Sequence, residues 1–162
     1  MFKVAIITAS DKGSKGLRED ISGKCIQEIV ENAGYEVVAK VILPDERALL
    51  ADKMKAFADQ EIPLILTTGG TGFSPRDNTP EATMDIIEKP TPGISEAMRY
   101  YSLQITPRAM LSRATSGIRN KSLIVNLPGS PKAVKECLEY LLPNLEHGLK
   151  IMLSLDSECA RK

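Results

Sequence analysis

The sequence predicts a three-layer α/β fold, with helices on both faces of a mostly parallel central sheet. Three observations carry that expectation. Short apolar runs alternate with longer amphipathic stretches, as βαβ units require. One run, Ile62 to Thr68 (IPLILTT), is apolar almost throughout, the pattern of a central strand covered on both faces. The 162 residues suit one domain, which at that size buries roughly 70% of its unfolded surface. We expect that domain over 1–155 and a polar C-terminal tail over 156–162.

The elements follow in order. Val4 to Thr8 reads as a buried strand, and Ala9 to Gly13 as a polar loop. Ile21, Cys25, Ile29 and Val30 recur at helical spacing, and Asn32-Ala33-Gly34 stops that helix. Tyr35 to Leu43 is a second strand, ended by Pro44-Asp45-Glu46. Leu49, Leu50, Met54 and Phe57 mark the next helix. After the central strand comes the loop GGTGFSPRDN. Thr79 can then cap a helix with Pro80 at its first position, running to about Glu88. Pro90 and Pro92 break it, and Ile94 to Tyr101 forms another. A short helix is allowed between Arg108 and Thr115. Ser122 to Leu127 is a further strand, closed by Pro128-Gly129-Ser130-Pro131. A helix from Lys132 to Leu142 follows, interrupted by Pro143, and a last one runs through Leu153.

Composition excludes several functions. Hydrophobic residues make up 43% and charged residues 26%, ordinary for a globular chain. Lys plus Arg equals Asp plus Glu at 21 each, so no net field draws a polyanion, which argues against a nucleic-acid partner. The three cysteines Cys25, Cys137 and Cys159 form no CxxC and read as reduced thiols. No basic leader with an apolar stretch occurs, and no apolar run nears the ~20 residues of a membrane span. We expect a cytoplasmic protein with no membrane partner.

In open α/β sheets, ligands bind beyond the carboxyl ends of the strands. Four loops occupy such ends: Ala9–Gly16, Pro44–Arg47, Gly69–Asn78 and Pro128–Pro131. They converge only if their strands are neighbours. Gly69-Gly70-Thr71-Gly72 is the sharpest signal. Glycines there let backbone N–H groups approach an anion without Cβ interference. The same turn also serves as a tight connection, but the dense polar run Ser74 to Thr79 favours a ligand. The turn is neither a Walker A loop nor GxGxxG, which disfavours an ordinary dinucleotide fold. Asp77 either caps a helix, pairs with Arg76, or serves a ligand. Asp45 either caps the following helix or joins Asp77 in holding Mg²⁺ beside a triphosphate. Ser130 can cap a helix with Pro131 at N1 and can also receive a phosphate. Arg113 either binds an anion or lies on a solvated face. His147 has no partner motif, so no triad is argued.

With TTGGTGFSPRDNTPEA in view, the chain resembles the Mog/MoaB-type molybdopterin adenylyltransferases, also found as the G domain of gephyrin. Thr8-Ala9-Ser10-Asp11, Pro44-Asp45, Pro92-Gly93-Ile94-Ser95-Glu96, Leu111-Ser112-Arg113-Ala114 and Leu127-Pro128-Gly129-Ser130-Pro131 are similar to family motifs and fall in the expected order. The resemblance implies the molybdopterin-binding fold and a homotrimer. It implies ATP with Mg²⁺ and molybdopterin as substrates, pyrophosphate as a product, and hand-over to a molybdate-insertion protein. It implies Asp45 and Asp77 as catalytic and metal-binding residues. Substrate contacts would come from Thr8, Ser10, Gly69, Gly70, Thr71, Gly72, Ser74, Glu96, Ser112, Arg113, Gly129 and Ser130. Its rivals are a non-catalytic pterin-binding or scaffold protein of the same fold, and an adenylyltransferase or pyrophosphatase for another nucleotide.

Overall fold

The computed structural model describes residues 1–155, so the tail expected over 156–162 and Cys159 lie outside the described residues. The elements are β1 (Lys3–Ala9), α1 (Asp11–Ser14), α2 (Ile21–Asn32), β2 (Glu36–Leu43), α3 (Arg47–Asp59), β3 (Leu64–Thr68), α4 (Thr79–Met84), β4 (Lys89–Pro90), α5 (Pro92–Leu103), a 3₁₀ turn (Pro107–Leu111), β5 (Ser116–Arg119), β6 (Ser122–Leu127) and α6 (Pro131–Met152). Six strands form one sheet in the order β2-β1-β3-β6-β5-β4. The first four run parallel, while β5 and β4 add an antiparallel edge.

Alternation along the strands builds two cores. Val4 and Ile6 of β1, Leu64 and Leu66 of β3, and Leu123 and Val125 of β6 face α2, α5 and α6. Ala5, Ile7, Ile65 and Ile124 face the opposite way, onto Leu50, Met54 and Phe57 of α3 and Ala82 of α4. The near-continuous apolar runs of β1 and β3 are the direct result of being covered on both sides. Two marker residues belong to neither core: Ile21 and Leu49 are exposed at 56% and 43%.

Several expectations need correction. Pro143 does not interrupt the last helix, and α6 runs through it for 22 residues. A helix-interior proline costs about 3 kcal/mol. Leu138, Leu141, Leu142, Leu145 and Leu149 are all buried along one face across it, each contributing about 1.5–3 kcal/mol, and Pro143 itself is exposed. The helix after the glycine loop ends at Met84, because the chain turns there to enter β4. Thr79 does not cap that helix. Asn78 occupies the cap position without a side-chain bond, and Thr79 is fully buried. The first polar loop contains the short helix α1, capped by Ser10. Between Arg108 and Thr115 a 3₁₀ turn, Pro107–Leu111, replaces a helix, and β5 follows it. No described helix is long and apolar enough to cross a membrane.

Candidate active site

The carboxyl ends of β2, β1, β3 and β6 lie side by side in that order, so the four candidate loops meet. The connection from β1 to β2 passes through α2 on one face, and that from β2 to β3 through α3 on the other. The crevice between β1 and β3 is therefore a topological switch point, where open α/β sheets hold ligands. A cleft of about 390 Å³ opens there, lined by 8–13, 18–20, Ser22, Asp45, 68–70, Asp77 and Gly129.

The glycine turn forms one wall. Gly69 and Gly70 have φ of 89° and 66°, in the region that favours glycine. A Cβ on Gly69 would sit 2.4 Å from the Ala9 carbonyl oxygen, and one on Gly70 would sit 2.4 Å from Thr79 Oγ1 and 3.2 Å from Asp45 Oδ1. Side chains there would wedge β1 from β3 and push Asp45 aside. The turn's carbonyls face away from open space: Thr79 Oγ1 donates to Gly69 O (2.9 Å) and Thr79 N to Gly70 O (3.1 Å). Arg113 N donates to Thr71 O (2.9 Å) and Arg113 Nε to Gly72 O (2.7 Å). Thr68 Oγ1 donates to Pro128 O (2.6 Å), which draws the β6 loop against this wall.

Asp45 and Asp77 both line the cleft. Asp45 does not cap α3, since Glu46 takes that position. Instead, Asp45 Oδ2 accepts the Asp11 N–H (3.0 Å), and Asp45 N–H donates to Asp11 Oδ1 (3.0 Å). Burial raises the Asp45 carboxyl above its ordinary value, reinforced by the negative charges of Asp11 and Asp77. Asp77 does not pair with Arg76. Its Oδ2 accepts the Ser74 N–H (2.9 Å) and closes the loop. Arg76 reaches across the cleft mouth to Asp11 through Nε–Oδ2 (3.0 Å) and Nη2–Oδ1 (2.8 Å). That guanidinium, together with the Asp45 N–H, lowers the Asp11 carboxyl to about 2. Glu19 and Asp20 add to a carboxylate-rich lining that Lys12 and Arg18 only partly offset.

Thr8, Ser10, Gly69, Gly70, Asp45, Asp77 and Gly129 come together around the cleft. Thr8 Oγ1 donates to Asp20 Oδ1 (2.9 Å), whose carboxylate also caps α2 by accepting from Gly23 N (2.9 Å). Thr71, Gly72 and Ser74, also expected as contacts, follow Gly70 in the loop but do not line the cleft. Ser130 caps α6, accepting from Ala133 N (3.4 Å), with Pro131 in the first turn. Ser112 lines a separate cavity of about 210 Å³ with Arg99, Arg108, Pro128 and Cys137. Arg113 is not a free anion-binding cation. It bonds Gly72 O, Asp77 O (2.8 Å) and the Glu81 carboxylate, and it holds that carboxyl below its usual range. Glu96 is exposed on α5 and lines neither cavity. Sequence reading gave Asp11, Asp20, Arg76 and Thr79 no role at the site. Asp20 stood before a helical run as a cap, the one signal available.

Among the described residues no group of three or more His, Cys, Asp or Glu forms a metal cage. Mg²⁺ does not need one, because it takes one or two carboxylates and completes its shell with phosphates and water. Asp45 and Asp77, sharing one cleft beside an anion-facing turn, fit that use.

Residues 5–147 match the family described as "Probable molybdopterin binding domain". The molybdopterin adenylyltransferase of Helicobacter pylori is 44% identical over 158 residues, covering 93% of this chain and 87% of the relative. Gephyrin of Dictyostelium discoideum is 40% identical over 161 residues, covering 93% of this chain and 22% of the relative. The crystal structure of the molybdopterin biosynthesis enzyme MoaB from Thermus thermophilus matches with a TM-score of 0.90 and 45% identity, over 95% of this chain and 98% of that one. A shared fold alone would leave the family open, but a family match over residues 5–147 and identity at this level across nearly the whole chain make this protein a member of the molybdopterin-binding domain family.

Proposed function

We propose that this protein is a molybdopterin adenylyltransferase, transferring AMP from ATP to molybdopterin and releasing pyrophosphate in molybdenum cofactor biosynthesis. The observation that carries the proposal is the cleft at the switch point, where an outward-facing glycine turn and the carboxylates Asp45 and Asp77 converge.

The reaction is in-line attack by the terminal phosphate of molybdopterin on the α-phosphorus of ATP. The attacking oxygen is already anionic at neutral pH, so the site needs no strong base. Its work is positioning and charge compensation. N–H groups of the glycine turn receive phosphate oxygens, as anion nests do. Asp45 and Asp77 are the residues that would hold Mg²⁺, directly or through water, and a bound ion would offset charge on the phosphates. The acidic lining suits a triphosphate that arrives with its cation. The Ser112 cavity shares the Pro128–Gly129 loop as a wall. Its Met98, Ala109 and Ala133 surfaces, flanked by Arg99 and Arg108, suit a flat pterin with anionic substituents.

The reading brings with it a single functional domain, a cytosolic location, a homotrimer, and hand-over to a molybdate-insertion protein. Tyr100, Leu103, Ile105, Met110 and Leu111, exposed on α5, the 3₁₀ turn and the link between them, offer apolar surface for self-association.

The test is Asp77→Asn, which keeps an oxygen to accept the Ser74 N–H. We expect labelled ATP to yield at least about 100-fold less adenylylated pterin per unit time. Pterin binding and the urea midpoint should be unchanged. Full turnover by this variant removes Asp77 from the mechanism, and no product from the unaltered protein leaves a pterin-binding scaffold as the better account.

A further inference from the structure

The most densely hydrogen-bonded stretch beside the cleft is backbone, not side chain. Four consecutive carbonyls, those of Gly69, Gly70, Thr71 and Gly72, each accept a hydrogen bond from behind. The four donors belong to just two residues, Thr79 and Arg113: Thr79 Oγ1 (2.9 Å), Thr79 N (3.1 Å), Arg113 N (2.9 Å) and Arg113 Nε (2.7 Å). In a trans peptide the carbonyl and the following N–H point in opposite directions. Pinning these carbonyls therefore turns the N–H groups of Gly70, Thr71, Gly72 and Phe73 the other way. Those N–H groups donate to no protein acceptor among the described residues; Gly70 lines the cleft, and Thr71, Gly72 and Phe73 continue the turn from its edge.

We propose that Thr79 and Arg113 are positioning residues that pre-form the anion nest. This rests on reading the glycine turn as the phosphate site. Neither residue touches the ligand. Each spends its donors on the turn's far side, so the backbone dipoles are aimed before substrate arrives and need no reorganisation during reaction.

The two anchors are themselves supported. Thr79 is fully buried. Its carbonyl accepts from Thr83 Oγ1 (2.9 Å), and Thr83 Oγ1 accepts from Asn126 Nδ2 (2.9 Å) on the central sheet. Arg113 is fixed by the Glu81 carboxylate on α4 and by Asp77 O (2.8 Å). The second bond ties the nest to the backbone that carries a catalytic aspartate. Lysine could not replace Arg113, because one ammonium cannot span Gly72 O, Asp77 O and Glu81 in a fixed fork.

The test uses Thr79→Val, which keeps the N–H and the shape but loses the hydroxyl donor, with Thr79→Ser as the conservative rescue and Arg113→Met as the second break. Two readouts are taken well below the melting temperature. The first is the ¹⁵N order parameter of the 70–73 amides. We expect values near ~0.85 in the unaltered protein and Thr79→Ser, falling below ~0.6 in Thr79→Val and Arg113→Met. The second is calorimetric affinity for inorganic pyrophosphate with Mg²⁺, expected to weaken about tenfold in the two broken variants and to return with serine. A residue that only stabilised the fold would lower the melting temperature and leave both readouts unchanged in the folded protein, and that result overturns the proposal. Should Arg113→Met not fold, Thr79→Val decides alone. If the unaltered protein binds neither pyrophosphate nor ATP, the proposed function falls instead, and the order parameters still judge whether the two residues hold the turn.

Discussion

The two loops that face each other across the cleft are held by opposite means. The 69–72 turn is anchored from behind by buried Thr79 and half-buried Arg113, and through Thr83 and Asn126 to the sheet. The short helix α1 (Asp11–Ser14) opposite is tied by the paired Asp11–Asp45 hydrogen bonds and by Arg76 to Asp11, an ion pair with side chains 55% and 36% exposed. Buried neutral hydrogen bonds are costly to leave unmade and insensitive to salt, whereas exposed ion pairs are weak and screened. The cleft thus has one wall of fixed geometry and one that ionic conditions can loosen. In the function proposed above, fixed dipoles belong where phosphate charge must be met, and a compliant wall belongs where substrate must enter.

The largest effect should come from breaking the fixed wall at its root. Asn126 is completely buried. Its amide donates to Thr67 Oγ1 (3.0 Å) and Thr83 Oγ1 (2.9 Å), and its carbonyl accepts from Thr115 N (3.2 Å). Asn126→Leu fills the space but strands the Thr115 N–H and removes two donors. An unmet buried group costs about 1–3 kcal/mol, so we expect a total loss of about 3 kcal/mol in urea denaturation. The melting temperature should fall by about 6–12 °C. A loss below about 1 kcal/mol would mean that the network contributes little to the wall.

That contrast also explains which parts of the site could be read from sequence. Gly69, Gly70, Asp45 and Asp77 were legible because their backbone freedom and charge are local properties, visible at strand ends. The core strands were legible because double-sided burial writes itself as Ile65-Leu66 and Ile6-Ile7. Thr79 was misread as a cap, and the carbonyls that Arg113 bonds were not foreseen. Their partners lie 10 and 41 positions away, and nothing in a threonine or an arginine says which carbonyls it will meet. Pro143 was misread for a related reason. A local rule about proline lost to the summed burial of leucines on the other side of the helix. β4 and β5 escaped notice because edge pieces of two and four residues carry too little pattern to show a period.

An intermediate effect should come from the anchor that is itself ionic. Glu81→Gln keeps the size of the Arg113 partner but removes its charge. We expect a loss of about 1 kcal/mol at pH 7, discounted because both side chains are about one-third exposed, at 33% and 34%. The pH dependence has a definite sign. Arg113 depresses the Glu81 carboxyl in the folded state. Its contribution is therefore complete above the ordinary glutamate range near ~4 and is lost as pH falls through the lower folded value. The stability gap between Glu81→Gln and the unaltered protein should close in acid. A gap that stayed constant down to pH ~3 would show that shape, not charge, holds Arg113.

The smallest effect on stability, and the sharpest on the comparison, should come from Arg76→Gln. The pair is exposed, so the urea midpoint should not move measurably. What should change is the local order of the 11–14 amides, with the 70–73 amides unaffected. Salt at ~1 M, where the Debye length is about 3 Å, should reproduce that loosening in the unaltered protein and add nothing to Arg76→Gln. Acid should not reproduce it at pH 4. The Asp11 carboxyl is lowered to about 2, so the pair's contribution is present above the ordinary aspartate value of 3.8 and is lost only as pH falls toward 2. Were the 11–14 loop to loosen at pH 4 but not in high salt, the hydrogen bonds between Asp11 and Asp45 would be its true tether. Both walls would then be fixed in the same way, and substrate entry would need a different moving part.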